Sequence, residues 1–360
     1  MNKKQEDRTI ILNNGEIAKA TFPVVVSASR STDIPAFYSD WFFERLRKGY
    51  SAWTNPFNGK KSYVSYEDTQ FIVFWSKNPR PLLYHIDYLK EKGIGCYIQY
   101  TLNDYENEGL EQGVPRLKER IDTFKLLVAK LGMGAVVWRF DPLILTDKID
   151  IDKLLRKIEH IGDQLQGYTE KLVFSFADIL SYRKVKANLE CNHINYIDWT
   201  KNQMLEFAEK LVLLNKAKGW NYILATCGEP ANLDGVVHNH CIDDRLMVRL
   251  GYKSKELMKF LGAEIIDSRQ QSDLFAEIEP LEIPANAILL DNNRYAVINK
   301  NNKDKGQRIA CGCMKSKDIG EYNTCPHLCE YCYANSSKES AITNWKCHKT
   351  NPWSETITGK

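Results

Sequence analysis

The sequence predicts an α/β fold, a partial (β/α)6-type barrel followed by a cysteine-rich C-terminal segment. Three observations predict it. Short apolar, β-branched runs alternate with stretches of helical period through residues 22–262. The runs are continuously apolar, as in parallel strands covered on both faces. Beyond them the rhythm fades, and five cysteines fall between Cys311 and Cys332.

The six predicted strands are 22–29 (FPVVVSAS), 71–79 (FIVFWSKNP), 96–103 (CYIQYTLN), 135–143 (AVVWRFDPL), 171–179 (KLVFSFADI) and 222–230 (YILATCGEP). Helical spacing falls over 36–49, 80–93, 115–132, 150–165 and 204–219, and four of these stretches close on glycine, as helices do. Six such units suit a full or partial barrel, although an open doubly wound sheet fits the same alternation. Residues 48–66 add a hairpin turning at Asn58-Gly59. Residues 263–310 read as an irregular connection or insertion with a short hairpin at Asp291–Arg294. Their lysines, with Lys315 and Lys317, read as a solvated loop.

In β/α barrels the active site is built where the strands end. Those positions here hold Ser27, Arg30 and Asp33; Ser76, Lys77 and Asn78; Gln99 and Thr101; Arg139 and Asp141; Ser175 and Asp178; Thr226 and Glu229. One polar residue there needs no explanation, because loops begin polar. Six strands ending this way predict a polar cavity. Arg30, Asp33, Lys77, Arg139 and Asp141 are the candidate catalytic residues: arginine and lysine suit a carboxylate or phosphate, aspartate a ribose hydroxyl or a proton. The plainer alternative makes them salt bridges across the barrel mouth.

Composition excludes some classes. A net charge of +3, spread along the chain, gives no argument for nucleic acid or an anionic membrane. No apolar run reaches the roughly 18–20 residues that span a bilayer, and the N-terminus lacks a signal-peptide core. The expectation is a cytoplasmic protein without membrane contact. Ten cysteines in that setting point to metal or redox chemistry rather than disulfides. Cys96 and Cys191 stand alone and read as small buried hydrophobes, and Cys347 as an incidental thiol.

The stretch NTCPHLCEYCYAN (323–335) sets Cys325, Cys329 and Cys332 at C-x3-C-x2-C spacing. Thiolates take soft or borderline metals. A structural zinc site wants four ligands, usually from paired knuckles. Three thiolates on a four-iron cluster leave one iron open, whereas zinc would recruit His327 or His348 as its fourth ligand. Spacing alone leaves both readings standing.

The loop resembles the radical S-adenosylmethionine (SAM) superfamily motif C-x3-C-x-aromatic-C, with Tyr331 in the aromatic position. CPHLCEYCYA is most similar to the variant in spore photoproduct lyase and its relatives. The resemblance implies a 4Fe-4S cluster on the three cysteines, whose open iron chelates SAM, with Tyr331 near the adenine. It further implies reductive cleavage of SAM to a radical that attacks a substrate, and a reductant such as flavodoxin or ferredoxin. A six-unit β/α barrel is also that superfamily's core. In most members, however, the motif directly follows the first strand; here SASRSTDIP stands there and the motif comes near the end of the chain. That combination resembles a bacterial domain-of-unknown-function group with the motif at its C-terminus, which offers no substrate to borrow. CGEP (227–230) resembles the segment holding the SAM amino group, which makes Glu229 a candidate cofactor contact, although that segment normally follows the second strand.

Cys227, Cys241, Cys311 and Cys313 form a second candidate set. A Cys-Gly-Cys step can present two thiolates to one centre, since glycine relieves crowding, and four thiolates complete an iron–sulfur or zinc site. The bland alternative is two buried cysteines beside a redox C-x-C pair. Such a centre is expected to pin a polar tail that lacks hydrophobic anchoring. The expected organisation is a barrel over 1–262, a connection over 263–310, and an iron–sulfur segment over 311–360 packed on the barrel mouth. The leading functional reading is a radical SAM enzyme of unidentified substrate. Its rivals are a non-enzymatic iron–sulfur electron carrier and a zinc-stabilised binding protein.

Overall fold

The computed structural model describes residues 8–55, 58–267, 283–291, 293–308 and 310–360. All six apolar runs form strands: β1 (Val25–Ala28), β2 (Phe71–Ser76), β3 (Gly95–Thr101), β4 (Val136–Leu143), β5 (Lys171–Phe176) and β6 (Ile223–Thr226). Two further strands, β7 (Val237–His238) and β8 (Lys317–Asp318), extend the sheet at its edges. The order is β7-β6-β5-β4-β3-β2-β1-β8, with every neighbouring pair parallel. No pairing joins β7 to β8 among the described residues, so a mixed α/β fold with a large parallel sheet is present without a closed barrel.

The connecting helices are α1 (Ser39–Arg47), α2 (Ile86–Glu91), α3 (Leu117–Leu131), α4 (Ile151–Leu165), α5 (Arg183–Cys191) and α6 (Lys201–Lys218). From β1 to β6 each crossover advances one strand in the same direction, and right-handed crossovers then place their helices on one face. A doubly wound sheet reverses direction, so that alternative is excluded. Helix α4 shows how sequence sets the packing. Asp150 caps it by accepting from Lys153 N at 2.7 Å, and Leu154, Ile158, Ile161 and Leu165 form its buried stripe.

Side chains alternate across a strand, which divides the core in two. Ile72, Phe74, Ile98, Tyr100, Trp138, Phe174 and Leu224 belong to the helix-covered face. Val25, Phe71, Val73 and Tyr97 pack on the opposite, inner face under α7 (Asp244–Gly251) and α8 (Lys255–Leu261). Continuing that inner parity toward the strand ends gives Ser27, Trp75, Gln99, Arg139, Asp141, Ser175 and Cys227. The inner face is therefore apolar at one end and polar at the other.

The hairpin Tyr50–Thr54/Lys61–Ser65 forms as expected, with Gly59 at φ +66°. Residues 263–310 are more regular than their sequence suggests. Ala263–Asp267, Ile288–Asp291 and Arg294–Ile298 make a three-stranded antiparallel sheet, including the expected hairpin. The apolar stretches of these strands, ILL and YAVI, are short and flank a turn without an intervening helix, so they stand outside the alternation that marks the main sheet; residues 268–282 lie outside the described set.

The tail is also better anchored than its polarity implies. Strand β8 pairs with β1 in register, Lys317 with Val26 and Asp318 with Ser27. Ile319, Cys329, Tyr331 and Ile357 join the main core. After the cysteine loop, α9 (Lys338–Thr350) sets Trp345 and His348 edge-on to the Tyr38 ring, with centroids 5.2 and 4.7 Å away.

Candidate metal centres and the polar sheet end

Asp318 explains why SASRS at β1 accompanies a late cysteine motif. Its carboxylate accepts from Ser27 Oγ at 2.9 Å, Ser29 Oγ at 2.8 Å, Arg30 N at 2.8 Å and Gly320 N at 3.0 Å. A Cβ on Gly320 would sit 1.9 Å from Ser29 Oγ, so the backbone reaches this close only without a side chain. The cysteine loop then leaves β8 and crosses the ends of the sheet strands.

Three contacts hold that loop. Asp33 accepts from Ala36 N, Ser76 Oγ, Lys77 N and His327 Nε2 at 2.6–2.9 Å, which uses both carboxylate oxygens twice. Asp33 therefore positions β1, β2 and the loop. His327 Nδ1 donates to Gly113 O at 3.0 Å, so both ring nitrogens are committed and neither is free for a metal. The loop before α3 runs antiparallel to the cysteine loop, with Gly113 N donating to His327 O at 2.8 Å and Glu330 N to Leu110 O at 3.0 Å. A Cβ on Gly113 would lie 2.6 Å from Pro326 O.

The third contact is a buried polar knot at Tyr331. Its hydroxyl donates to Glu111 and meets Lys77 Nζ at 2.9 Å and Asn103 Nδ2 at 3.1 Å. Lys77 Nζ also donates to Glu111 Oε1 at 2.8 Å. Burial alone would push the Glu111 carboxyl up; Lys77 and Arg120 outweigh it and hold the group at about 2. Burial likewise opposes charge on Lys77, but Glu111 and then Cys329 keep it above the ordinary lysine range. Tyr331 is thus an anchor of the loop, with Tyr105 edge-on to its ring at 6.1 Å.

The loop thiols fit a metal–thiolate site. Burial pushes all three upward, against the pull of Lys77 on Cys329 and Cys332, so as free groups they stay protonated. Backbone N–H groups are nevertheless aimed at the sulfurs, from His327 and Asp33 at Cys325 and from Asn335 and Ala334 at Cys332. Donors of that kind orient and tune thiolate ligands. His348, the other candidate fourth ligand, is buried and stacked on Trp345 at 5.3 Å.

The second set of cysteines also assembles. Cys227 Sγ lies 3.0 Å from Cys241 Sγ. Cys313 lies near enough to both Cys241 and Cys311 to influence their thiols, so the four sulfurs follow one another as neighbours, although no three of them are mutually within 4.8 Å. Arg139 and Asn239 each donate to Cys241 Sγ at 3.2 Å, and Ile242 N to Cys313 Sγ at 3.4 Å. Hydrogen bonds from Cys227 and Cys313 lower Cys241 well below the ordinary thiol range, against burial and with help from Arg139. The Cys313 thiol similarly lowers Cys311 to about 6.

Arg139 crosses the inner face. Besides Cys241 it contacts Gln99 Oε1 at 3.2 Å and pairs with Asp141, which accepts in turn from Ser175. Trp75 meets two cations, with Arg139 5.3 Å and Arg30 5.6 Å from its ring centroid. The Arg30 guanidinium makes no hydrogen bond or ion pair among the described residues. Glu229 sits beyond β6 and accepts from Ala231 N at 3.0 Å. Of the candidate residues, Arg30, Arg139, Asp141 and Cys227 therefore share the inner face. Asp33, Lys77 and Tyr331 form the loop's support.

Sequence reasoning missed Glu111, Asn103, Asp318 and Glu330. Glu330 is buried and accepts from Gln112, Asn192 and Lys338 at 2.6–2.8 Å. The flanking Gly109 and Gly113 were the one local signal for Glu111. The lone cysteines differ from one another: Cys96 packs against the core, but Cys191 is exposed, which corrects its expected burial. Among the described residues, the one group of histidine, cysteine or carboxylate donors mutually within 4.8 Å is His240, Asp243 and Asp244. Asp243 caps α7 and Asp244 accepts from Asn302, which accounts for both acids.

Fold and site together define an α/β protein with two groups of buried and half-buried thiols at one end of a parallel sheet. A model of the family described as Domain of unknown function (DUF1848) matches residues 25–334, from β1 through the cysteine loop. The chain belongs to that family. Comparisons with curated proteins and with solved structures return no match.

Proposed function

We propose that Cys325, Cys329 and Cys332 hold a 4Fe-4S cluster, and that the protein is a radical SAM enzyme working over the inner face of a partial (β/α)6 barrel. The placement of the motif carries this reading. In the superfamily that the motif resembles, the cysteine loop follows a strand at the start of the barrel. Here Lys317–Asp318 lies parallel beside β1, and the loop leaves its C-terminal end. The loop thus stands beside β1 in space, although it comes late in the chain.

Ligand count supports a cluster over a single zinc ion, which takes four ligands. The loop offers three thiolates, and both ring nitrogens of His327 are already committed. A polynuclear cluster gives each thiolate a different metal atom.

When bound, the cluster supplies the electron for reductive cleavage of SAM. The chain's own share is positioning. Glu111, Lys77 and Asn103 fix Tyr331 and with it the depth of the loop. Asp33 fixes His327. The Arg30 guanidinium, which makes no hydrogen bond or ion pair among the described residues, is available to a carboxylate, and Glu229 has a carboxylate for an ammonium group. A flavodoxin or ferredoxin is the partner this chemistry requires.

The test is anaerobic reconstitution of the protein and of its Cys325/Cys329/Cys332→Ala variant. The expected outcome is loss of about four irons per chain and of 5′-deoxyadenosine release. Full iron and unchanged SAM cleavage in the variant would sink the assignment, whereas iron without SAM cleavage in the unmodified protein favours the electron carrier.

A further inference from the structure

Four cysteines lie outside the loop and outside its supporting knot. Cys227 follows β6, Cys241 follows β7, and Cys311 and Cys313 come from the tail, yet their sulfurs gather as neighbours, with Cys227 and Cys241 in direct contact. We infer that Cys227, Cys241, Cys311 and Cys313 ligate a second metal centre, a thiolate-bound zinc or iron ion or an iron–sulfur cluster, independent of the loop at 325–332.

Three observations carry it. The first is convergence of donors from three separate segments. Chance burial of lone thiols does not predict four neighbouring sulfurs with one contact of 3.0 Å. The second is the set of N–H groups pointed at sulfur, from Arg139, Asn239 and Ile242 at 3.2–3.4 Å. Metal-bound thiolates carry such donors in their surroundings. Arg139 is only 2% exposed, and a guanidinium this buried needs anionic partners. Asp141 is one, and the ligand sulfur at 3.2 Å is the other.

The third is the preparation of the backbone. The Cys241 carbonyl accepts from Tyr97 Oη and Gln99 Nε2, both at 2.8 Å, and Met314 N donates to Ile242 O at 3.0 Å. The Cys-Gly-Cys step passes close to His240, whose ring lies 2.2 Å from where a Cβ on Gly312 would stand. The ligand segments are thus held in place by the protein itself. A disulfide between Cys227 and Cys241 is the competing outcome, but it leaves Cys311, Cys313 and the N–H donors to sulfur unexplained.

The experiment begins with the full chain carrying Cys325/Cys329/Cys332→Ala, purified without oxygen and assayed for zinc, iron and acid-labile sulfide. Retained metal is expected, and it should fall to background on adding Cys227→Ser or Cys311→Ser but not Cys96→Ser. Zinc alone identifies a single tetrathiolate ion, iron without sulfide a mononuclear iron site, and iron with matching sulfide a cluster; each supports the centre. A folded triple variant without thiophilic metal, or either serine variant that keeps it, overturns the proposal. Should a variant fail to fold, alkylation of the unmodified protein decides. Half-buried Cys311 should resist iodoacetamide until a chelator strips the metal, then react together with Cys313. Equal labelling before and after stripping, or a Cys227–Cys241 disulfide with no bound metal, also overturns it.

Discussion

The two groups of thiols are built in opposite ways. Cys325, Cys329 and Cys332 lie on one loop, so their mutual spacing is local. Their address is not local: it depends on β8 beside β1, on Asp318 against SASRS, and on Gly113 beneath Pro326 and His327. Cys227, Cys241, Cys311 and Cys313 have no local relation at all beyond the Cys-Gly-Cys step, and the sheet brings them together. Their charge partners differ as well. Lys77 stands near Cys329 but is committed to Glu111 and Tyr331, whereas Arg139 touches Cys241 directly. Compact spacing in sequence marks a ligand set; it does not say where the set will sit.

The strongest way to separate the two groups is Gly113→Ala. Its Cβ meets backbone oxygen at 2.6 and 2.9 Å, which no side-chain rotation relieves. We expect a loss of about 3 kcal/mol in stability, with the loop's metal lost and that of the second group kept. Urea unfolding and metal analysis check this; loss of both metals together would show that the groups are not separable.

The converse variant, Arg139→Met, removes the cation at Cys241 while leaving the loop's supports intact. Weakening of metal at the second group by about 10–100-fold is expected, the range for partners of ligands. Competition with a chelator reads it. Unchanged affinity would reduce Arg139 to a partner of Asp141 alone.

Glu321 gives the smallest effect and touches neither group. Burial raises its carboxyl from the ordinary 4.5 to about 7, although the Ile357 amide and Lys360 pull the other way. A raised carboxyl favours the protonated folded state, so its contribution is full below about pH 4.5 and is lost as pH rises through 7. Glu321→Gln should therefore match the parent at pH 5 and exceed it by on the order of 2 kcal/mol at pH 8. Equal stability of the two proteins at pH 8 would put this carboxyl in water.

Much of the frame was legible along the chain. Continuous apolar runs such as FIVFWS and VVWRF mark buried parallel strands because both faces of such a strand meet apolar partners. Helices α3, α4 and α6 declare themselves by stripe and cap, as Asp150 and the Thr200–Gln203 capping box illustrate. Helix α9 is 13 residues long but buries only Ala341 and His348, so it carries no apolar stripe to read. Asp33 was legible as important but not as a positioning group, since its four donors come from residues 36, 76, 77 and 327.

The sequence by itself determined the six βα units, the three-cysteine motif with its tyrosine, and the polarity of the strand ends. These are one-dimensional patterns, set by backbone periodicity and by the short reach of a loop. Tertiary structure decided that the motif lies beside β1, that Tyr331 is held by Lys77, Asn103 and Glu111, and that four distant thiols meet. The first two outcomes turn on contacts across more than 200 residues, such as Ser29 with Asp318 or Asn103 with Tyr331, and the thiols meet across shorter spans, 14 residues for Cys227 with Cys241. Their energy comes from complementary hydrogen bonds and close backbone approach in the folded chain, and neither leaves a repeating mark in the sequence.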